Sequence, residues 1–137
     1  MTPKESRRVL LKLSGEALGD VEQGRTLDLE TTRFIAEQVA EAARQGIQIA
    51  IVVGGGNLWR GGRKQGLSLE RTASDIIGML GTVMNSIALG ELIKQLGIPA
   101  RVLSAIGPHP LVERYEIAHA RESLEAGEVV LCAGGTS

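Results

Sequence analysis

The stretch "IAIVVGGGNLWRGG", residues Ile49–Gly62, decides how the rest of the chain is read. Apolar residues run without polar interruption from Ile49 to Val53, all but Ala50 β-branched, and end in three consecutive glycines. A short run of this kind, stopped by glycine, reads as a strand covered on both faces, as strands of parallel sheets are. Glycines just past its carboxyl end let backbone N–H groups converge, and let a bulky anion approach with no Cβ in the way. Arg60, beside them, offers a planar fork of donors suited to two phosphate oxygens.

Working outward, three more stretches share the strand character: Arg7–Leu13 ("RRVLLKL"), Ala100–Ile106 ("ARVLSAI") and Glu128–Ala133 ("EVVLCA"), beside Ile47–Val53 itself. Helical periodicity fills the intervals. In residues 27–46, Asp28 is placed to cap a helix whose apolar stripe is Phe34, Ile35, Val39, Ala42 and Ala43, with Gly46 ending it. A longer helix is expected over Thr72–Leu96, closed by Gly97 and Pro99, and a third over Tyr115–Ala126, closed by Gly127. Alternation of this kind predicts an α/β fold: one domain over residues 1–137, a three-layer αβα sandwich with a mainly parallel sheet and helices on both faces. Ligands of such sheets sit beyond the carboxyl ends of the strands, here just after Leu13, Val53, Ile106 and Ala133.

Composition narrows the partners. The chain has 137 residues, 43% hydrophobic, and a net charge of −1, so no whole-molecule field draws in nucleic acid or an anionic membrane, and anion binding has to be local. No signal-type apolar segment follows "MTPKESRR", and a cytoplasmic location is expected. A single cysteine, Cys132, excludes an internal disulfide and reads as a small buried hydrophobe, and His109 and His119 lack a helical ligand spacing. No metal site is predicted.

Three of the four strand ends lead into small, polar or cationic residues: "KLSGEA" (Lys12–Ala17), "GGGNLWRGG" (Gly54–Gly62) and "GGTS" (Gly134–Ser137). Lys12 adds a mobile positive charge to the glycine turns. The pattern G-x-x-x-x-G-K-[ST] is absent, since Gly56 and Gly61 are followed by Gly62 and Arg63, and G-x-G-x-x-G fails because Trp59 stands at the third glycine. Phosphate binding is therefore expected in neither a Walker nor a dinucleotide arrangement.

The segments "KLSGEAL", "GGGNLWRG", "DIIGMLGTVMNSIAL" and the terminal "AGGTS" resemble the amino-acid-kinase superfamily and, within it, the bacterial uridylate (UMP) kinases. The resemblance runs from about Arg7 to Ser137 and covers what looks like the N-terminal, acceptor-side half of that fold. It implies phosphoryl transfer from Mg2+·ATP to UMP. By the same resemblance Lys12 and Arg60 are the catalytic cations, and Lys12, Leu13, Ser14, Gly15, Gly56 and Arg60 face ATP. Gly55, Asp75, Thr136 and Ser137 face UMP, with Asp75 on the ribose. It further implies a homohexamer, activation by GTP and inhibition by UTP, and no turnover by the 137 residues alone.

From the residues themselves, Asp75, Gly78, Met79 and Thr82 share one helical face, and Gly78 and Gly81 each cost that helix about 1 kcal/mol relative to alanine, so something is expected to approach closely there. In the resembled family that is the nucleotide or a neighbouring subunit. A carboxylate or carbamate kinase on the same scaffold, and a non-catalytic nucleotide-binding protein, are the competing readings. Trp59 reads as a loop anchor.

Overall fold

The computed structural model describes residues 7–60, 68–107, 109–110 and 112–135. Strands β1 (Arg8–Leu13), β2 (Gln48–Val53), β3 (Ala100–Ser104), β4 (Glu113–Arg114) and β5 (Val129–Ala133) form one sheet in the order β1-β2-β5-β3-β4. Every pairing is parallel. Helix α1 (Leu29–Arg44) joins β1 to β2, α2 (Arg71–Gln95) joins β2 to β3, and α3 (Ile117–Glu125) returns the chain so that β5 enters between β2 and β3. A 3-10 turn, Gly15–Leu18, follows β1.

The two faces of the sheet bury different side chains, as the strand period of two requires. On one, Ile49, Ile51, Val129 and Leu131 meet Ala36 and Val39 of α1 and Leu89 and Ile93 of α2 in the main core. On the other, Leu103 and Val130 pack against Leu124 of α3, with Ala50, Ala120 and Cys132 around them. The expected three layers are therefore present. Beyond α3 that second face lies open over β1 and β2, where Leu10 is 70% exposed.

Local chemistry sets the element ends. Asp28 caps α1, accepting from the backbone N–H of Thr31 at 2.9 Å, from its hydroxyl at 2.6 Å and from Arg25 at 3.1 Å. Those bonds hold its carboxyl below the ordinary 3.8, the Thr31 hydroxyl contributing most. The sequence reading needs correction at three places here. Phe34, assigned to the apolar stripe of α1, is 63% exposed; Val39 is buried as expected, Ile35, Ala42 and Ala43 pack partly buried against the core, and Thr32, Ala36 and Ala40 complete the buried side. The third strand stops at Ser104 rather than Ile106, because the Ser104 hydroxyl turns back onto the backbone of Ile106. The third helix starts at Ile117 rather than Tyr115. The residues before it form β4, and the Tyr115 N–H donates to the Ser104 carbonyl at 2.9 Å.

Helix α2 is, by length and composition, apolar enough to cross a bilayer, yet it carries buried Asn85 and Ser86 on the side that faces the fold.

Candidate functional site

The carboxyl ends of β1 and β2 lie in register, Lys12 beside Val52 and Leu13 beside Val53, and both strands turn there. The Gly54 N–H donates to the Leu13 carbonyl at 2.9 Å, drawing the two turns together. They touch so closely that a Cβ on Gly15 would stand 2.5 Å from the Gly54 carbonyl oxygen and 2.6 Å from the Asn57 side chain. A Cβ on Gly55 would stand 2.7 Å from the Gly78 carbonyl oxygen of α2. The glycine run is thus required partly by its own packing: any side chain at Gly15 or Gly55 drives backbone from backbone.

The glycines of α2 meet the same loop, at distances that are ordinary van der Waals contact. A Cβ on Gly81 would lie 3.6 Å from Gly55 Cα and from Leu58 Cβ, and one on Gly78 would lie 3.8 Å from the Trp59 ring. The close approach expected along that helix face is made by the chain's own glycine loop and its tryptophan.

Asn57 and Asn85, which the sequence did not single out, hold the loop in place together with Trp59, the expected loop anchor. Asn57 and Asn85 exchange amide bonds at 2.7 and 3.2 Å; Asn85 also donates to the Gly54 carbonyl at 2.8 Å and Asn57 to the Thr26 carbonyl at 3.0 Å. Asn85 is fully buried, so its amide bonds replace water that it cannot reach. The indole N–H of Trp59 donates to Ser74 at 3.0 Å, fastening the far end of the loop to the first turn of α2. Thr82 accepts from the Gly134 N–H at 2.9 Å and joins the turn after β5 to the same assembly. An asparagine on an apolar helix is a visible oddity in the sequence, but nothing local names a partner 28 residues away.

Two clefts flank the glycine loop. One, of about 560 Å3, is lined by Gly55, Gly56, Trp59, Ser74, Asp75, Gly78, Met79, Thr82 and Gly135. The other is a groove of about 1260 Å3 that starts at Lys12, Leu13, Ser14, Gly15 and Gly56 and continues over the open sheet face past Leu10, Val52 and Ile117. Gly56 borders both. The smaller cleft has the size of a small-molecule site with a few convergent polar groups. In the larger one, Lys12 and Ser14 stand at the glycine-turn end, and Arg8, Tyr115 and Arg121 also line the groove.

The expected site residues therefore separate into two groups around one loop. Lys12, Leu13, Ser14, Gly15 and Gly56 lie on the groove; Gly55, Gly56 and Asp75 lie on the smaller cleft. Asp75 stands in the second turn of α2, since that helix starts at Arg71, and its carboxylate pairs at 3.8 Å with Arg71. Arg60 folds back onto the loop: its Nε donates to the Gly56 carbonyl at 3.1 Å and its guanidinium pairs with Glu16 of the 3-10 turn. That ion pair between the two turns was not expected. Thr136 and Ser137 lie outside the described residues. Burial pushes the Cys132 thiol up, away from thiolate chemistry at neutral pH.

Known proteins resemble this chain in sequence and fold. A sequence model of the amino acid kinase family matches residues 7–137. The uridylate kinase of Mycobacterium leprae is 47% identical over 128 residues, which is 93% of this chain and 49% of that protein. The uridylate kinase of Streptococcus thermophilus is 44% identical over 135 residues, 98% of this chain and 55% of that protein. The crystal structure of a UMP kinase from Bacillus anthracis superposes with a TM-score of 0.87 at 33% identity, over 97% of this chain and 55% of that one. The chain spans about half the length of the relatives it matches. With its parallel sheet, its paired glycine turns and a match over nearly its whole length, the chain belongs to the amino acid kinase family.

Proposed function

We propose that this chain carries the acceptor side of a uridylate kinase, which moves the γ-phosphate of ATP to UMP to give UDP in pyrimidine nucleotide synthesis. The observation that carries this reading is the place of Gly56 on the border of both clefts, with Lys12 to one side and Asp75 to the other. One glycine loop then faces two phosphorylated ligands. The nearly unbroken likeness to uridylate kinases supports UMP as the acceptor.

In this reading the smaller cleft takes UMP. The Asp75 carboxylate accepts from the ribose hydroxyls, exchanging its long contact with Arg71, and the N–H groups around Gly55 and Gly56 meet the phosphate. Thr136 and Ser137 complete the acceptor loop by the same likeness. Lys12, Ser14 and Gly15 line the donor side, where Gly15 lets its turn pack against Gly54, and Arg60 leaves Glu16 to reach the phosphates. UMP brings an already ionised phosphate oxygen as nucleophile, so the protein aligns two anions and screens their repulsion, and no catalytic base is required. Mg2+ bound with ATP would lend positive charge to its phosphates. Among the described residues no group of three or more His, Cys, Asp or Glu side chains stands together, and the reading assigns no metal ligand here. A cytoplasmic homohexamer activated by GTP and inhibited by UTP belongs to the same reading, as does turnover only in the presence of the region matching the other half of the relatives.

Thermal unfolding tests the acceptor assignment. UMP should raise the melting temperature of this chain, ribose 5-phosphate less and glutamate not at all, and Asp75→Ala should bring UMP down to the level of inorganic phosphate. Protection by glutamate or carbamate without protection by UMP would replace the nucleotide reading with a carboxylate or carbamate acceptor.

A further inference from the structure

We propose that Trp59 is a positioning residue for the nucleotide: through Ser74 it fixes the outlying first turns of α2, and with them the Asp75 carboxylate, over the smaller cleft. This role presupposes the reading of that cleft as the UMP site. Little else holds this end of the helix. Arg71, Thr72, Ala73, Asp75, Ile76 and Ile77 are exposed, and Ser74 alone among the first seven residues of α2 is half-buried. The helix enters the cores only from Val83 onward. No side chain caps its first N–H groups, and no acidic residue stands in its first turn to meet the helix dipole. The Arg71 contact to Asp75 at 3.8 Å is no substitute, since the Arg71 side chain is 94% exposed and an ion pair so open to water restrains little.

Trp59 reaches this end of the helix from the glycine loop. Its backbone N–H donates to the Gly55 carbonyl at 3.0 Å, which ties the residue to the turn that carries Gly55 and Gly56. The indole N–H then donates to the Ser74 hydroxyl at 3.0 Å, and a Cβ on Gly78 would stand 3.8 Å from the ring. Ser74 and Gly78 lie one helical turn apart on one face, so a single flat ring spans two turns of α2 and the hydrogen bond fixes its direction. Among the described residues, this is the only side-chain hydrogen bond between the loop and the first three turns of α2. Asp75 follows Ser74 directly and lines the same cleft as Trp59, Gly55 and Gly56. A carboxylate for the ribose and N–H groups for the phosphate of one nucleotide have to keep a fixed separation, because the gain from orientation is lost with small misplacements. The indole sets that separation by joining the two.

Titration calorimetry of the purified chain with UMP and with its 2′,3′-dideoxy counterpart tests this, together with amide hydrogen exchange in the absence of nucleotide. Trp59→Phe keeps an aromatic ring and removes the donor; Ser74→Ala removes the acceptor. Each should weaken UMP by about threefold to tenfold, the worth of one hydrogen bond, and leave the dideoxy nucleotide within about twofold. In an Asp75→Ala background, Ser74→Ala should cost nothing further, and Ser74→Thr, which keeps the hydroxyl, should recover UMP binding. Without nucleotide, the amides from Asp75 to Gly78 should exchange about threefold to tenfold faster in Trp59→Phe and Ser74→Ala than in the parent chain. Unchanged exchange there would overturn the proposal. So would equal weakening of both nucleotides, which marks a general loss of the cleft, or a further loss from Ser74→Ala when Asp75 is already gone. A parent chain that binds UMP no better than the dideoxy nucleotide would instead take Asp75 off the ribose and overturn the acceptor reading, while exchange at the helix start would still decide whether the Trp59–Ser74 bond holds that turn.

Discussion

At the residue scale, the worth of a charge or an amide depends on what lies around it. Lys12 rises at the end of β1 into a groove where the account puts the transferring phosphates, so its charge matters most when negative charge redistributes in the transition state. In the active assembly, Lys12→Ala should therefore lower the transfer rate by orders of magnitude while changing UMP affinity little. Equal losses in both would move Lys12 to the acceptor side. Asn85 has no charge to offer and binds no ligand in this account, yet its amide holds Gly54 and Asn57 where the two turns meet. Asn85→Ala removes those bonds inside the core and should cost about 1–3 kcal/mol of stability. Denaturant unfolding measures that loss, and UMP protection should weaken alongside it. A variant as stable as the parent chain would show the amide pair to be incidental.

At the scale of elements, the sequence was legible where local chemistry decides. Asp28 as the cap of α1, Gly46 and Gly97 as helix ends, and the strand that runs into Gly54 could all be read from neighbours. What failed depends on tertiary contact. Phe34 sits at a helical position that periodicity allows to be buried, but packing against α2 and the sheet selects the alanines and Thr32 instead. The two residues of β4 have no pattern of their own and exist because β3 lies alongside. The Asp28 cap carries a pH prediction with a definite sign. Its carboxyl is held below 3.8 in the folded chain, so its contribution is fully present above that value and is lost as pH falls through the lowered folded value. Asp28→Ala should lower the melting temperature at neutral pH and leave less to lose in acid. Asp28→Asn, which still accepts from Thr31, should retain much of the neutral-pH stability. Melting curves between neutral pH and pH 3 check this, and identical acid profiles for the parent and both variants would refute it.

At the scale of the whole molecule, one sheet edge gathers what the sequence scatters. Lys12, the Gly54–Gly56 turn, Asp75 and Gly135 come from four separate parts of the chain: the β1–β2 pairing joins the first two, α2 adds Asp75, and β5, entering between β2 and β3, adds Gly135. The site was foreseeable as a set of strand ends, since parallel sheets place their chemistry there. Its division into two clefts about Gly56, and the amide clasp that fixes the loop between them, follow from contacts across tens of residues that no local pattern encodes. The central claim is that the cleft between the glycine loop and α2 accepts UMP. Amide chemical-shift mapping by NMR tests it most directly. On titration with UMP, the account predicts that the largest shifts fall at Gly55, Gly56, Asp75, Gly78 and Thr82, while Arg101, Glu113 and Glu128 on the far side of β3 stay still. Shifts concentrated elsewhere, with the glycine loop unmoved at saturation, would contradict it.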